Sequence, residues 1–333
     1  LLINMKIALQ LVVWNGEKYL PFLLASLQKQ TIDQFDLFIL DNDSQDESLA
    51  ICNRYKAKKD QLVQVISQKN NLGFAGGHNK LFEITADYDY VLLVNQDLVF
   101  EPDCIKKLVT FMDLHKKVGA VSPRLMKWKD LSNTKTSGLF QKSNLVDSLG
   151  VKKNKNWSFQ EIGNGQVWKK TAKSSHQVTC VSGTAPLYRR AVLDNIQYNK
   201  KEVFDGLFTI YKEDIDLGLR INNAGYQNHV LFDAVAYHDR TVSQIGETVK
   251  EVVKNKKSQS KYVRLHSYKN HIMILCKYFK YTNFIALLSV IWYEIRKAIF
   301  YLGTEPTIVL SAWWFIVKNI KEIFNKRKQI QQK

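Results

Sequence analysis

Asp97 ends an apolar run, "YDYVLLVNQD", at the point where a strand bound for a core would stop and a loop would begin. A carboxylate fixed by a strand and left open by a loop suits a hard divalent cation, which takes carboxylate oxygen and fills its other positions with water and phosphate. Such a cation would neutralise the diphosphate released when a nucleotide-linked group is transferred. His238 follows "LFDAVAYH" in the same manner, and imidazole is a common metal ligand. If the two side chains meet, an Asp/His pair with diphosphate oxygens favours Mg2+ or Mn2+ over zinc. The competing structural reading makes Asp97 a turn cap and His238 a satisfied strand-end residue.

Three further clusters carry chemistry. In "ILDNDSQDES", Asp41 comes directly after an apolar run and could accept hydrogen bonds from a base or ribose, while Ser44 and Asp46 suit helix capping. In "NNLGFAGGHNK", Gly73, Gly76 and Gly77 would let backbone approach a ligand, and the following helix would offer free N–H groups to anionic oxygens. This stretch is neither GxGxxG nor GxxxxGK[ST], and a plain glycine turn also explains it. In "YKEDIDLGLR", Glu213, Asp214 and Asp216 open a helix. Dipole stabilisation accounts for one or two of them, and a general base for an acceptor hydroxyl for another.

These residues need a frame that gathers them. The first half alternates strand-like runs ("KIALQLVVW", "FDLFIL", "LVQVIS", "YDYVLLV") with helix-like stretches, predicting a parallel sheet with crossover helices. Each run ends in a polar cluster: Asn15 and Gly16, Asp41 to Asp43, Asn70 and Asn71, Asn95 and Asp97. In a parallel sheet those ends share one edge, where ligands bind. From Met126 to about Gln177 the pattern weakens into Lys-, Asn- and Ser-rich sequence, predicting a solvated hairpin or a loop over the cleft. "VTCVSGTAPLYRRAVLDNI" then reads as strand and helix, and "EDIDLGLRINNAGYQNHVLFDAVAYHD" as a helix ended by Gly225 and a strand.

The 333 residues, 45% hydrophobic and 24% charged, suffice for a large core. The four cysteines lack CxxC spacing and argue for neither disulfides nor structural zinc. "LLINMKIALQLVV" has no basic leader and reads as the first strand rather than a signal peptide. The formal charge of +17 is concentrated at the C-terminal end, where 17 basic residues stand against 4 acidic ones from Lys250 onward. There "NFIALLSVIWY" and "TIVLSAWWFIV" are too short to span a bilayer, but could pack on the body or lie in an anionic membrane interface. No nucleic-acid-binding motif accompanies the charge.

The order of these motifs is familiar. Over about residues 5 to 240 the chain resembles the family 2 glycosyltransferases of GT-A fold, most closely their rhamnosyltransferase-like branch. The matching stretches are "LVVWNGEKYLPFLLASLQKQ", "FILDNDSQDES", "NNLGFAGGHNK", "LLVNQDLVFEPD", "VSGTAPLYRR" and "YKEDIDLGLRINNAGY". The resemblance implies a Rossmann-like α/β catalytic domain over 1–245, with a mainly parallel sheet flanked by helices. A basic, amphipathic helical extension, in contact with the membrane, would occupy 246–333.

It further implies inverting transfer of a sugar, rhamnose or a related hexose, from a dTDP- or UDP-sugar. The acceptor would be a hydroxyl of a lipid-linked or growing cell-surface polysaccharide, at the cytoplasmic face of the membrane. Asp214 falls on the family's catalytic base, preceded by Glu213. Asn95, Gln96 and Asp97 stand in the place of the DxD motif, with Asp97 and His238 as ligands for Mg2+ or Mn2+. Asn15, Asp41, Asn42, Asn71, Gly73, Gly76, Gly77, Asn79, Asn95, Gln96 and Gly183 would border the nucleotide-sugar.

Three departures stand out. Asn95 replaces the first acid of a strict DxD and weakens its hold on metal, His78 stands where the branch often has asparagine, and the Lys-rich stretch matches nothing. Competing readings are transfer to a polyprenyl phosphate, a nucleotidyltransferase, and a non-catalytic basic binder of nucleic acid or membrane.

Overall fold

The computed structural model describes residues 5–32, 34–57, 62–130, 140–239, 260–280 and 284–332. Four parallel strands form one half of the main sheet: β1 (Ile7–Val13), β2 (Asp36–Asp41), β3 (Val63–Ser67) and β4 (Tyr90–Val94). They lie in the order β4-β1-β2-β3. All are Val-, Ile- and Leu-rich, as strands covered on both faces must be. Alternation along β1 sends Leu9 and Leu11 into a core beneath α1 (Leu20–Gln28) and α4 (Cys104–Leu114). Ala8 turns to the opposite core under α3 (Gly73–Ile84), α5 (Arg190–Ile196) and α6 (Glu213–Asn223). Between β2 and β3 the chain crosses over through α2 (Ser48–Lys56). Pro21 sits in the first turn of α1, where no N–H is needed.

Beyond β4 the sheet changes character. Its order continues through β11 (Leu187–Arg189), β6 (Val118–Asp130), β12 (Gln227–His238) and β10 (Ser175–Val178), with β11 antiparallel to both neighbours. After Asp97 the chain turns directly into β5 (Leu98–Phe100), which runs antiparallel to β12. That is why apolar residues resume so soon after the carboxylate.

Of the two expectations for Met126 to about Gln177, a solvated hairpin or a loop, the structure has paired strands. β6 runs on to Asp130 and pairs with β7 (Phe140–Ser148), followed by the hairpin β8 (Val151–Lys153) and β9 (Phe159–Glu161) and then β10. Met126, Trp128, Val146 and Val151 are buried, while Lys152 and Lys153 are exposed. The polar composition marks the solvent face of strands, not an absence of strand. Residues 131–139 of that stretch lie outside the described residues.

The C-terminal segment forms α7 (Lys261–Tyr278), α8 (Phe284–Thr304), α9 (Pro306–Lys318) and α10 (Ile320–Gln331). The expected boundary at 245/246 lies outside the described residues. Met273, Ile274, Ile308, Ile316 and Ile323 of these helices share a core with Phe208, Ile215 and Leu219 of the body. A buried ionic cluster reinforces the joint. Lys277 of α7 contacts Asp205 at 2.9 Å and also Asp216. Lys326 of α10 contacts Asp205 at 2.7 Å, and Arg220 pairs with Asp216 at 3.1 Å. Buried charges persist only where each is matched, so these pairs fix how the helices dock. No described helix is long and apolar enough to cross a membrane.

Candidate active site

His238 and Asp97 are 141 positions apart in the chain yet adjoin, and the pairing of β5 with β12 explains it. His238 is in register with Leu98, so its ring reaches the residue just before β5. His238 Nε2 is 3.2 Å from Asp97 Oδ2, and Nδ1 donates to Asp147 Oδ2 at 2.8 Å. Burial disfavours a charge on this imidazole, but the Asp97 carboxylate and hydrogen bonds to Asp147 and Asp97 outweigh it and raise the pKa to about 10.

One carboxylate behind the ring and one beside it is the arrangement that orients imidazole metal ligands. Asp97 and His238 Nε2 therefore fit a divalent cation taking the place of the shared proton. Among the described residues no group of three or more His, Cys, Asp or Glu is poised to hold an ion. Substrate oxygens and water would complete the shell, as Mg2+ and Mn2+ accept.

A cleft of about 510 Å³ opens beside this pair and is lined by Asn95, Asp97, Gly183, Glu213, Asp214 and His238. Asp214 stands in the first turn of α6, where the backbone N–H of Gly183 donates to its Oδ2 at 3.0 Å and that of Ile215 to its Oδ1 at 2.8 Å. Gly183 packs closely on the base, since a Cβ there would lie 3.3 Å from Asp214 Cβ and press it aside by a few tenths of an ångström. Next to it, burial first and the Asp214 charge second push the Glu213 carboxyl up to about 8. Asp216, the third acid of the motif, is fully buried in the ionic cluster and serves structure.

The remaining predicted residues form the rim at the strand ends. Asp41 is in register with Val13 of β1, is 2% exposed, and its Oδ1 is buried without a hydrogen-bond partner. An orphaned carboxylate oxygen fits a ribose or base donor. Asn42 is engaged within the protein: its Nδ2 donates to Asn71 Oδ1 at 2.9 Å and its Oδ1 accepts from Leu72 N at 2.8 Å. Asn71 also caps Gly73 N at 2.8 Å. Asn79 brackets the Phe204 backbone, with both bonds at 2.8 Å.

Gln96 brackets Trp14 in the same way, at 3.0 and 3.1 Å. Asn15, with φ +48°, accepts from Gln45 N at 2.8 Å. Gly73 adopts φ +70°, which favours glycine. Gly77 lets α3 close on β1, where a Cβ would meet Val12 at 2.9 Å, and Gly76 lies close to Leu72. His78 is buried, 3.2 Å from Gln10 Oε1, and burial lowers its pKa to about 3. These residues shape the strand-end rim chiefly through the backbone they fix.

The family model "Glycosyl transferase family 2" matches residues 11–197. The chain belongs to that family. This family 2 glycosyltransferase is 25% identical over 236 residues to the O-antigen chain rhamnosyltransferase RfbN of Salmonella typhimurium, a match covering 70% of this chain and 66% of the relative. It is 29% identical over 113 residues to the poly(ribitol-phosphate) beta-N-acetylglucosaminyltransferase TarS of Staphylococcus aureus. That match spans 33% of this chain but 19% of TarS.

Its fold is GT-A. Residues 1–349 of S. aureus TarS with UDP superpose at a TM-score of 0.52 and 18% identity, covering 91% of this chain and 73% of that one. The mannosyltransferase PcManGT of Pyrobaculum calidifontis, solved with GDP-Man and Mn2+, gives 0.53 at 15% identity over 95% of this chain and 75% of that one.

In this family 2 chain several residues of the site carried no readable signal. Asp147, inside "NLVDSLG", looks like an ordinary strand residue, and only the β6–β7 pairing carries it behind His238. The far side of the cleft is lined from β8–β9 and the C-terminal helices, by Phe159, Tyr268, His271, Tyr293, Lys297 and Tyr301. No motif in "HIMILCKYFK" or "IWYEIRKAIF" announces that role.

Proposed function

We propose that the chain is a divalent-metal-dependent, inverting glycosyltransferase. It moves rhamnose or a related hexose from a dTDP- or UDP-sugar to a hydroxyl of a lipid-linked or growing cell-surface polysaccharide. The observation that carries this reading is the meeting of Asp97, His238 and Asp214 around one cleft. Bound Mg2+ or Mn2+ would lie on Asp97 and His238 and supply charge neutralisation for the departing diphosphate.

The chain's own residues do the rest. Asp214, its two oxygens held by backbone N–H groups, takes the proton from the acceptor hydroxyl. Neutral Glu213 beside it adds no second negative charge at the attack site below its raised pKa of about 8. Asp147 keeps the His238 ring in place. Asp41 offers its orphaned oxygen to the nucleoside. A single displacement inverts the sugar.

Relatives named for O-antigen and poly(ribitol-phosphate) chains support a surface-polymer acceptor. The outward faces of α8 and α9 support a place on the membrane. Leu288, Trp292 and Ile299 of α8, with Leu310, Trp314 and Val317 of α9, are all exposed, Trp314 by 71%. Lys318 at the end of α9 and Lys321 and Lys328 of α10 are exposed as well. Apolar stripes edged with lysine suit the interface of an anionic bilayer. Cosedimentation with vesicles containing anionic lipid, and its loss with neutral vesicles, is expected; equal recovery in both pellets would remove this part.

The central test is a donor screen. Purified protein is incubated with a panel of UDP-, dTDP- and GDP-sugars and Mn2+, and released nucleoside diphosphate is measured. Slow hydrolysis of one dTDP- or UDP-sugar is expected; no release from any donor, with or without metal, would defeat the proposal.

A further inference from the structure

We infer that the β6–β7 hairpin, from the stretch whose sequence matches nothing familiar, sets how tightly the site holds its divalent cation, with Asp147 and Trp128 as positioning residues. The inference rests on the glycosyltransferase reading and deepens it at the metal pair.

Each member of that pair is held by one strand of the hairpin. Asp147 of β7, fully buried, accepts from His238 Nδ1 at 2.8 Å. Trp128 of β6, 2% exposed, donates its Nε1 hydrogen to the Asp97 carbonyl at 3.0 Å, and the Asp239 N–H donates to the same oxygen at 3.2 Å. The imidazole and the carboxylate are thus steered from behind by neighbouring strands.

Irregular pairing makes both contacts. Leu125 stands opposite Ser148 and Met126 opposite Val146, so Asp147 is the extra residue of a β-bulge. A bulge re-aims a side chain that regular alternation would send elsewhere. The next step, from Met126 opposite Val146 to Trp128 opposite Lys142, is irregular as well. Both residues are then fixed by their surroundings. Asn164 Nδ2 donates to the Asp147 carbonyl at 2.6 Å, and Val146 N to Gln166 O at 2.8 Å. The Trp128 ring lies edge-on to Tyr19 with centroids 6.0 Å apart, and 5.6 Å from Phe22 of α1.

Charge gives the arrangement its purpose. Asn95 stands where a strict DxD carries an acid, so Asp97 is the one carboxylate that this motif brings to the cleft. Asp147 restores the missing negative charge on the far side of the ring and makes Nε2 the stronger donor to a metal. A buried carboxylate persists only where charge matches it, and a dication on Asp97 and His238 supplies that match.

The test titrates Mn2+ into the full chain saturated with UDP or dTDP, reading bound ion by calorimetry and free ion by electron paramagnetic resonance. Asp147→Asn keeps the size of the side chain and should weaken Mn2+ binding about tenfold or more. Trp128→Phe keeps a ring in the core, removes the N–H, and should weaken it about threefold. Nucleotide affinity without metal should stay within twofold in both. Asn95→Asp, added to Asp147→Asn, should recover most of the lost Mn2+ affinity, a rescue that a merely structural role for Asp147 would not allow.

Unchanged Mn2+ affinity in either folded single variant would overturn the inference, and so would a folded double variant that binds Mn2+ no better than Asp147→Asn. Trp128→Phe, on the other strand, carries the test should Asp147→Asn fold poorly. A wild-type chain that binds neither nucleotide would instead strike the underlying glycosyltransferase reading, a separately visible outcome.

Discussion

Asn270 Nδ2 lies 2.7 Å from the carbonyl oxygen of Tyr211, three residues before Asp214. The same amide reaches Phe208 O at 3.0 Å and Ile210 O at 2.8 Å. Thr209, Tyr211 and Lys212 all adopt positive φ, a conformation costly for side chains other than glycine. One buried side chain from the C-terminal helices thus secures a strained approach to the proposed base. Asn270→Ala would take this donor from the Ile210 and Tyr211 carbonyls, at about 1–3 kcal/mol for each left unsatisfied, while Phe208 O keeps Ile210 N. Lower stability in urea and a kcat reduced at least about tenfold are expected; a variant with wild-type kcat would show that the loop holds itself.

Asp214→Asn keeps size and shape but removes the proton acceptor. Turnover should fall by about 10²–10⁴-fold with melting temperature little changed. Near wild-type turnover in a folded Asp214→Asn protein would remove the base assignment.

Asp97→Ala and His238→Ala should each weaken Mn2+ binding, measured by calorimetry in the presence of UDP or dTDP. Each should also raise the Mn2+ concentration required for donor hydrolysis. Unaltered metal titrations in both variants would place the cation elsewhere.

Lys277→Met removes the cation shared by Asp205 and Asp216 and leaves the buried cluster one positive charge short, with only Lys326 on Asp205 and Arg220 on Asp216 remaining. A loss of about 3–5 kcal/mol in urea unfolding is expected. A loss below about 1 kcal/mol would mean the cluster is not closed to water.

Glu213 sets a pH dependence. Its carboxyl, near 4.5 when unperturbed, is raised to about 8 in the folded protein. Between those values the folded state holds a proton that the unfolded chain has lost. Stability therefore declines as pH rises from about 4.5 through 8 and carries the full penalty above that. Glu213→Gln should flatten this slope in urea titrations across the window. An unchanged slope would show that Glu213 is ionised in the folded protein.

The amino-acid order by itself determined the parallel half of the sheet. Continuous apolar runs as short as those of β1, β2 and β4, rich in Val, Ile and Leu, read as strands buried on both faces, and parallel strands joined by helices end along one edge. It therefore placed Asp41 and Asp97 at strand ends, and Asp214 in the first turn of its helix, before any contact was known.

Only tertiary structure decided which of these meet. Asp97 touches His238 because an antiparallel pairing sets His238 opposite Leu98, and register between distant strands depends on turns and packing that no local pattern encodes. The polar stretch from Met126 to Gln177 concealed strands because lysines such as Lys142, Lys152 and Lys153 face water. The C-terminal helices kept two possible fates open, since an apolar stripe looks the same whether it meets protein or lipid. Their inner faces closed the cleft and their outer faces stayed exposed, a division made by a core shared with Phe208, Ile215 and Leu219 and by matched charges such as Lys277 with Asp205.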